Sequence, residues 1–233
     1  MDTKVIGLLG GMSWESTATY YRLINEGVKD ALGNLHSARI VLYSVDFAPI
    51  ERLQQAEDWD GTARILTEAA LSIQKAGADC LLICTNTMHK VAPQIESRIT
   101  IPLLHIADAA GEELSRRRLT RVGLLGTRFT MEQDFYRGRL AERFGLEVLI
   151  PELPDREILH RVIYQELCTG KTLEVSRREF LRIIDTLHKA GAEAVILGCT
   201  EIGLLVKSTD TNLPLLDTTV LHADAAVGFA LGK

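Results

Sequence analysis

Two short segments of the chain carry the residue types that can move protons. The first, residues 84–87, reads Cys-Thr-Asn-Thr, and the second, residues 199–201, reads Cys-Thr-Glu. Each segment follows an apolar stretch that comes after an Ala-Gly-Ala triplet, at 76–78 and at 190–192. A thiol, with an ordinary pKa of about 8.5, becomes a general base once it is deprotonated. These two segments are therefore the first candidates for catalytic chemistry.

Each cysteine segment stands where a buried strand is expected to end and a helix to begin. Exposed backbone N–H groups at such a place lower the pKa of a thiol and can also hold a carboxylate. Inversion of a carbon centre needs two acid–base groups, because one removes the proton and the other returns it from the far face. The alternative is that Cys84 and Cys199 are buried strand cysteines beside ordinary helix caps. The paired placement favours the catalytic interpretation.

The elements that position these segments alternate between strand and helix. Apolar runs predict strands and amphipathic stretches predict helices, an order typical of parallel sheets with helices on both faces. The predicted strands are 5–9, 39–45, 79–84, 101–106, 121–126, 146–150, 194–198 and the apolar run 213–216. The predicted helices are 14–32, one opened by Asp60 and ended by Gly77, 107–118, 130–144 with a capping box from Thr130 to Gln133, 155–168, 173–189 and 222–231.

The chain also contains an internal repeat. Three matching pairs lie at nearly one separation: Gly7 and Gly123 are 116 residues apart, Ala76 and Ala190 are 114 apart, and Pro102 and Pro214 are 112 apart. We therefore expect an α/β protein of two pseudo-symmetric domains, each a parallel sheet flanked by helices. The predicted halves are 1–118 and 119–212, with 213–233 packing back on the first half. Ligand groups gather at the carboxyl ends of parallel strands, so the active site is expected in the cleft between the domains.

Composition excludes several classes of protein. The 233 residues are 46% hydrophobic and 24% charged with a net charge of −5, which is typical of a soluble globular chain with one large or two small cores. Nothing indicates a nucleic-acid surface, and no apolar stretch approaches the ~20 residues of a membrane span. Since 5–9 already forms a strand, we expect no signal peptide and a cytoplasmic protein.

The cysteines and glycines predict no metal and no nucleotide. In a cytoplasmic protein disulfides are the less common use of cysteine, and Cys80 and Cys168 are expected to be small apolar core residues. Cys80 and Cys84 lie within one strand, which does not fold back to make a zinc site. The glycines at 7–11 lack the G-x-G-x-x-G spacing, and Gly-Lys-Thr at 170–172 follows a helix without the earlier P-loop glycine.

Three motifs together resemble those of the aspartate/glutamate racemase family. They are Gly-Leu-Leu-Gly-Gly-Met-Ser at 7–13, Cys-Thr-Asn-Thr-Met-His at 84–89 and Gly-Cys-Thr-Glu at 198–201. The resemblance covers essentially the whole chain and is closest to the bacterial broad-specificity branch that acts on L-aspartate and L-glutamate. It implies racemisation of a small dicarboxylic amino acid by two facing residues, without pyridoxal phosphate or another cofactor. It also implies two pseudo-symmetric domains and a homodimer.

The first motif departs from the family pattern. The family usually has Cys-Asn-Thr there, with that cysteine as one base, and Asn86 and Thr87 match its last two residues. Thr85 therefore takes the catalytic position, and Cys84 is an alternate to it. The resemblance then implies that Cys199 deprotonates the L-substrate and that Thr85 helps to return a proton. Since a hydroxyl is a poor base, the reaction from the D-enantiomer is expected to be slow.

Other polar residues near the strand ends are candidates for substrate binding. A dicarboxylate needs a cation, for which Arg52, Arg128 and Lys171 are candidates. Asp46 is a candidate for contacting the substrate ammonium, whereas the amide of Gln54 suits the side-chain carboxylate. The predicted substrate-binding set is Met12, Ser13, Gln54, Asn86, Thr87, Thr127, Lys171, Thr200 and Glu201.

Alternatives stay open on the sequence alone. His89 and His222 lie near predicted helix starts by the cleft, where a lone histidine is more often structural than catalytic. A related enzyme on the same scaffold, such as a hydantoin racemase, maleate isomerase or decarboxylase, would share the second cysteine but have a different pocket. A small-acid binding protein that has lost the first base is the third possibility, and Thr85 is its best support.

Overall fold

The computed structural model describes residues 3–232 of the protein. The chain divides into two compact units, one made of Met1–Ile106 with His222–Lys233 and the other of Ala107–Leu221. The sequence analysis predicts domain boundaries after residues 118 and 212, whereas the boundaries between the compact units follow residues 106 and 221. Both boundaries between the units fall at or within a helix.

The first unit is built on a parallel sheet of three strands. In this sheet β1 (Ile6–Gly10) lies between β2 (Ile40–Ser44) and β3 (Cys80–Ile83). The helices of this unit are α1 (Trp14–Leu32), α2 (Phe47–Gln55), α3 (Trp59–Lys75) and α4 (Ala92–Glu96). The next helix, α5 (Ile106–Arg116), has only its first residue in this unit and the rest in the second unit. Thr87–Val91, after β3, forms a 3₁₀ turn.

The second unit contains a parallel sheet of four strands. Its strands are β4 (Arg121–Gly126), β5 (Glu147–Leu149), β6 (Ala194–Gly198) and β7 (Leu215–Asp217), in the order β5-β4-β6-β7. Its helices are α6 (Arg128–Glu132), α7 (Asp134–Phe144), α8 (Leu153–Gln165), α9 (Glu174–Lys189) and α10 (Ile202–Leu205). The last helix, α11 (Thr218–Leu231), begins in this unit and belongs to the first unit from His222 onward. The predicted α/β class, with parallel sheets flanked by helices, is confirmed.

The two sheets repeat each other in their hydrogen bonds. The amide of Asp79 donates to the carbonyl of Val5 at 2.8 Å, and the amide of Glu193 donates to the carbonyl of Arg121 at 2.8 Å. In return, the Asp79 carboxylate accepts from the Val5 amide at 2.7 Å, and that of Glu193 accepts from the Arg121 amide at 2.9 Å. The internal repeat of the sequence is therefore a repeat of structure.

Glycine at the centre of each first strand allows a helix to pack closely on the sheet. A Cβ on Gly7 would lie 2.5 Å from Cγ2 of Ile73 in α3, and a Cβ on Gly123 would lie 2.9 Å from Cδ1 of Leu187 in α9. The helix side chain thus occupies the space that a strand side chain would otherwise fill.

Three predicted elements differ from the structure. The predicted strand 101–106 is reduced to a single bridge between Leu103 and Leu81, because α5 already begins at Ile106. The predicted helix 130–144 is two helices, and the cap of the first is Thr127 rather than Thr130, which donates its amide to the Thr127 side chain. The last helix begins at Thr218, four residues earlier than expected.

The segment after β2 also differs from the expectation. It forms α2, which the sequence pattern did not predict, and the Asp46 side chain caps this helix by accepting from the Ala48 amide at 3.2 Å. The helix after it is capped by Asp58 rather than Asp60. Asp46 therefore has a local structural partner. Within residues 3–232, no helix has both the length and the apolar character needed to cross a bilayer.

Candidate active site

Thr85 stands just beyond the end of β3 and is partly exposed. Its amide donates to the carbonyl of Ile83 at 2.8 Å, and its own carbonyl accepts from Nδ1 of His89 at 2.8 Å. These bonds turn the chain sharply away from the strand direction. The turn leaves the Thr85 side chain at the carboxyl edge of the sheet, where solvent can reach it.

Cys84, one residue earlier, has a different environment. Its side chain is fully buried in an apolar cluster that includes Ile6, Leu8 and Leu82. Alternate residues of a strand face opposite sides of the sheet, so Cys84 shares the face of Leu82. Burial raises the pKa of the Cys84 thiol far above its ordinary value. The environment of Cys84 is that of an apolar core residue.

Asn86 and Thr87 continue from Thr85 into the 3₁₀ turn. Both are buried, with 3% and 5% of their surface exposed. The carbonyl of Asn86 accepts from the His89 amide at 3.1 Å, which closes the first turn. The polar segment is therefore held rigidly by its own backbone.

The end of β1 contributes Met12 and Ser13. Met12 is 4% exposed and packs in the apolar cluster on the α3 side of the sheet. Ser13 is the N-cap of α1 and accepts from the Ser16 amide at 3.3 Å. Its carbonyl accepts from the hydroxyl of Thr17 at 2.9 Å, while the Gly11 amide donates to the same hydroxyl at 2.8 Å. This strand end is therefore tied down by hydrogen bonds on its own side.

Four other candidates of the first unit lie outside the segment 84–87. Gln54 is a buried residue of α2 with 1% of its surface exposed, and Arg52, two residues before it, is exposed. His89 and His222 are both buried, and their ring centroids are 5.7 Å apart. His105, which the sequence argument did not select, lies with its ring centroid 4.4 Å from that of His89.

In the second unit, Cys199 and Glu201 form a direct contact. The Cys199 thiol donates to Oε2 of Glu201 at 3.1 Å, and the hydroxyl of Thr200 donates to the same oxygen at 2.6 Å. Cys199 is 8% exposed and Glu201 is 5% exposed. Burial, and then the charge of the Glu201 carboxylate, raise the pKa of Cys199 well above its ordinary value. The resting sulfur is therefore a thiol, not the thiolate that the sequence argument favoured.

The sequence analysis predicts Glu201 only as a substrate-binding residue and does not predict its contact with Cys199. Its signal is a carboxylate two residues after a strand-end cysteine. A carboxylate at hydrogen-bond distance from a thiol is the arrangement that can accept its proton. The pair can therefore supply a base without an external group.

The remaining candidates of the second unit are Thr127, Arg128 and Lys171. Thr127 is 6% exposed and is the N-cap of α6, as Ser13 is the N-cap of α1. Arg128 is exposed, and its amide donates to Nδ1 of His160 at 3.2 Å. Lys171 is also exposed and contacts the carbonyl of Glu166 through its backbone amide at 2.9 Å.

Thr85 and Cys199 occupy equivalent positions of the repeat. Ile83 is the last residue of β3 in register with β1, and Leu197 stands at the matching place of β6 beside β4. Thr85 and Cys199 each follow that place by two residues. Among residues 3–232 no two cysteines form a disulfide, and no three His, Cys, Asp or Glu side chains are placed to hold a metal ion.

Comparison with known proteins gives the same family over nearly the whole chain. The Asp/Glu/hydantoin racemase family model matches residues 9–226. A broad-specificity amino-acid racemase from Bacillus subtilis (strain 168) is 20% identical, and the match covers 96% of each chain.

Solved structures agree with this assignment. An aspartate racemase homologue from Pyrococcus horikoshii OT3 is 34% identical with a TM-score of 0.84, covering 99% of this chain and 100% of that one. A Yersinia pestis protein, provisionally described as an Asp/Glu racemase, is 54% identical with a TM-score of 0.92, covering 98% of this chain and 99% of that one. The chain therefore belongs to the Asp/Glu/hydantoin racemase family of isomerases.

Proposed function

We propose that the protein racemises L-aspartate or L-glutamate without a cofactor, with Cys199 removing the α-proton and Thr85 returning one from the opposite face. The observation that carries this proposal is the equivalence of Thr85 and Cys199, each two residues beyond the same rung of its own sheet. The mechanism requires that both side chains reach one bound amino acid.

The proton of the Cys199 thiol has an acceptor in this mechanism. Glu201 takes it across the 3.1 Å contact, and the resulting thiolate then removes the α-proton of the substrate. The Thr200 hydroxyl stabilises the carboxylate before this transfer, at 2.6 Å from the same oxygen. The proton of the thiol therefore moves to the carboxylate first, and the α-proton then moves from the substrate carbon to the thiolate.

Thr85 serves better as a proton donor than as a base. Its hydroxyl is partly exposed, so the proton that it delivers can be recovered from water, whereas Cys84 is fully buried. An alkoxide is not available near neutral pH, so Thr85 cannot remove an α-proton from the D-enantiomer efficiently. The proposed enzyme consequently exchanges the α-proton of the L-enantiomer with solvent faster than that of the D-enantiomer. The kcat/KM for net racemisation is the same in both directions, because the two enantiomers have equal free energy.

The substrate carboxylates are proposed to bind to N–H and hydroxyl groups at the strand ends. The contributing residues would be Asn86 and Thr87 in the first unit and Thr127 and Thr200 in the second, with Lys171 as the cation. Ser13, Met12 and Gln54 complete the proposed lining. We further propose that the functional protein is a cytoplasmic homodimer.

Incubation of the protein with L-aspartate and L-glutamate in D2O tests this function. The expected result is α-deuterium uptake with appearance of the D-enantiomer, and loss of both in Cys199→Ala. Thr85→Ala is expected to lose D-product while α-exchange of the L-substrate persists. Cys80→Ala is the matched control, because it removes a buried cysteine at the other end of β3.

Three results would overturn the proposal. Exchange that survives unchanged in Cys199→Ala would remove the cysteine from the mechanism. α-Exchange of D-aspartate by Thr85→Ala that is as fast as that of L-aspartate would remove Thr85. Measurable binding of the amino acid without any exchange would indicate a binding protein instead of a racemase.

A further inference from the structure

Three buried histidines lie close together, and one of them contacts the Thr85 carbonyl. The proposed mechanism uses none of them. His89, His105 and His222 are 1%, 5% and 0% exposed. The ring centroid of His89 lies 4.4 Å from that of His105 and 5.7 Å from that of His222. His89 is the member that touches the proposed catalytic segment.

The hydrogen bonds of His89 define its tautomer. The amide of Ile106 donates to Nε2 at 3.2 Å, so Nε2 carries no proton. The ring proton is therefore on Nδ1, which donates to the carbonyl of Thr85 at 2.8 Å. Burial, and then the neighbouring His105 and His222, lower the pKa of His89 well below its ordinary value and keep the ring neutral. One neutral imidazole thus bridges the end of β3 and the start of α5.

The far side of this bridge is held as well. The carbonyl of Leu104, two residues before the Ile106 amide, accepts from Nε2 of His222 at 2.7 Å. Nδ1 of His222 then accepts from the hydroxyl of Tyr20 in α1 at 2.9 Å. Because 104–106 is fixed by a second histidine, it does not follow His89 if that ring shifts. Residues 104–106 therefore act as the fixed support, and the His89 ring holds the Thr85 carbonyl in place relative to them.

We propose that His89 is a positioning residue for Thr85, which it orients by donating Nδ1–H to the Thr85 carbonyl while the Ile106 amide fixes its Nε2. The inference rests on the proposed function, because it assigns Thr85 the reprotonation step. Holding the peptide plane after Thr85 limits the directions available to its hydroxyl. Proton delivery is sensitive to such placement, since small displacements of reacting groups reduce rates strongly.

Two conservative variants separate the two hydrogen bonds. In His89→Asn the amide nitrogen replaces Nδ1 and keeps the bond to the Thr85 carbonyl, whereas the acceptor for Ile106 is lost. In His89→Gln the amide oxygen replaces Nε2 and keeps the bond from Ile106, whereas the donor to Thr85 is lost. Since the two variants remove one hydrogen bond each, similar losses of stability are expected from both.

The measurement is the partition of the reaction in D2O. For each variant, the amount of D-enantiomer formed from L-aspartate is divided by the amount of deuterated L-aspartate recovered. His89→Gln is expected to lower this ratio about fivefold to tenfold, the effect of one lost hydrogen bond on placement, while His89→Asn keeps the wild-type ratio. His188→Asn is the control, because its Nδ1 bonds a backbone carbonyl, that of Ala192, at 3.2 Å in the second unit.

The outcomes distinguish this inference from the proposed function. If the wild-type protein shows no α-exchange, the proposed function fails. If the wild type exchanges and racemises but His89→Gln and His89→Asn keep the same ratio, or lower it equally, the positioning role is wrong and the racemase stands. Far-ultraviolet circular dichroism and the melting temperature confirm that each variant is folded when the ratio is measured.

Discussion

At the scale of single residues, the proposed mechanism depends on the Cys199–Glu201 contact. A buried thiol with a raised pKa is a poor base unless a nearby group takes its proton, and Glu201 lies 3.1 Å from the sulfur. Since the Glu201 carboxylate is one cause of the raised pKa, it opposes a thiolate while it remains charged. Transfer of the thiol proton to Glu201 removes that opposition in the same step.

Glu201→Gln separates these two effects. The amide cannot accept the proton, so the rate of α-exchange from L-aspartate at neutral pH is expected to fall about 100-fold or more. The lost negative charge also lowers the pKa of Cys199, so the variant's rate should rise with pH as the thiolate forms. The pH–rate profile of α-exchange measures both changes. Glu201→Asp, which keeps a carboxylate, should retain more activity, and an unchanged neutral rate in Glu201→Gln would contradict the relay.

At the scale of elements, the packing of α3 on β1 has little tolerance for added volume. A Cβ on Gly7 would lie 2.5 Å from Cγ2 of Ile73 and 2.6 Å from the carbonyl oxygen of Cys80. The side chain could rotate away, but the carbonyl belongs to the neighbouring strand and cannot move without breaking the sheet. Overpacking of this kind costs about 1–3 kcal/mol.

Gly7→Ala is therefore expected to lower the free energy of unfolding by about 2 kcal/mol or more. Gly228→Ala is the matched control, because its Cβ would meet no atom within 4 Å and it lies inside α11. Alanine is favoured over glycine in a helix interior by roughly 0.5–1 kcal/mol, so this control should be more stable than the wild type. Urea unfolding measures both. Equal effects of the two substitutions would contradict the packing argument.

The sequence predicted strongly periodic elements well and boundary details less well. The helix from Trp14 and the strand from Arg121 match the observed ranges, since their apolar spacing is unambiguous. In contrast, the sequence analysis does not predict α2, whose nine residues give few helical turns in which apolar spacing can be recognised. Two threonines three residues apart, Thr127 and Thr130, are both good caps, and only the fold shows which amide is available. Local pattern cannot decide such choices.

In the candidate site, likewise, one feature can be predicted from the sequence pattern and another depends on the folded geometry. The equivalence of Thr85 and Cys199 follows from sequence offsets, because both sheets repeat one register. The bridge from His89 to Ile106 joins residues 17 apart through the end of a strand and the start of a helix. No spacing rule predicts it, since it depends on where α5 begins. Tertiary contacts of this kind are visible only in coordinates.

At the scale of the whole molecule, buried titratable groups limit the pH range of stability. His89 and His160 have pKa values lowered chiefly by burial, whereas Cys80, Cys84 and Cys199 have pKa values raised chiefly by burial. The folded state thus favours neutral histidines and neutral thiols. The unfolded state binds more protons than the folded state below the ordinary histidine pKa, and fewer above the ordinary thiol pKa. Stability should be greatest between about pH 6.5 and 8.5.

On the acid side of this range, His89 is expected to contribute to the slope of the free energy of unfolding against pH. Its lowered pKa means that its contribution to stability is fully present above the unfolded histidine pKa of about 6.5 and is lost as pH falls toward the folded value. In that window, the protonation of His89 lowers the free energy of unfolding by about 1.4 kcal/mol for each pH unit. His89→Asn cannot titrate, so its free energy of unfolding should fall less steeply between about pH 6.5 and 5 than that of the wild type. Urea unfolding at several pH values measures the two slopes, and identical slopes would show that His89 is not the buried neutral base that its contacts describe.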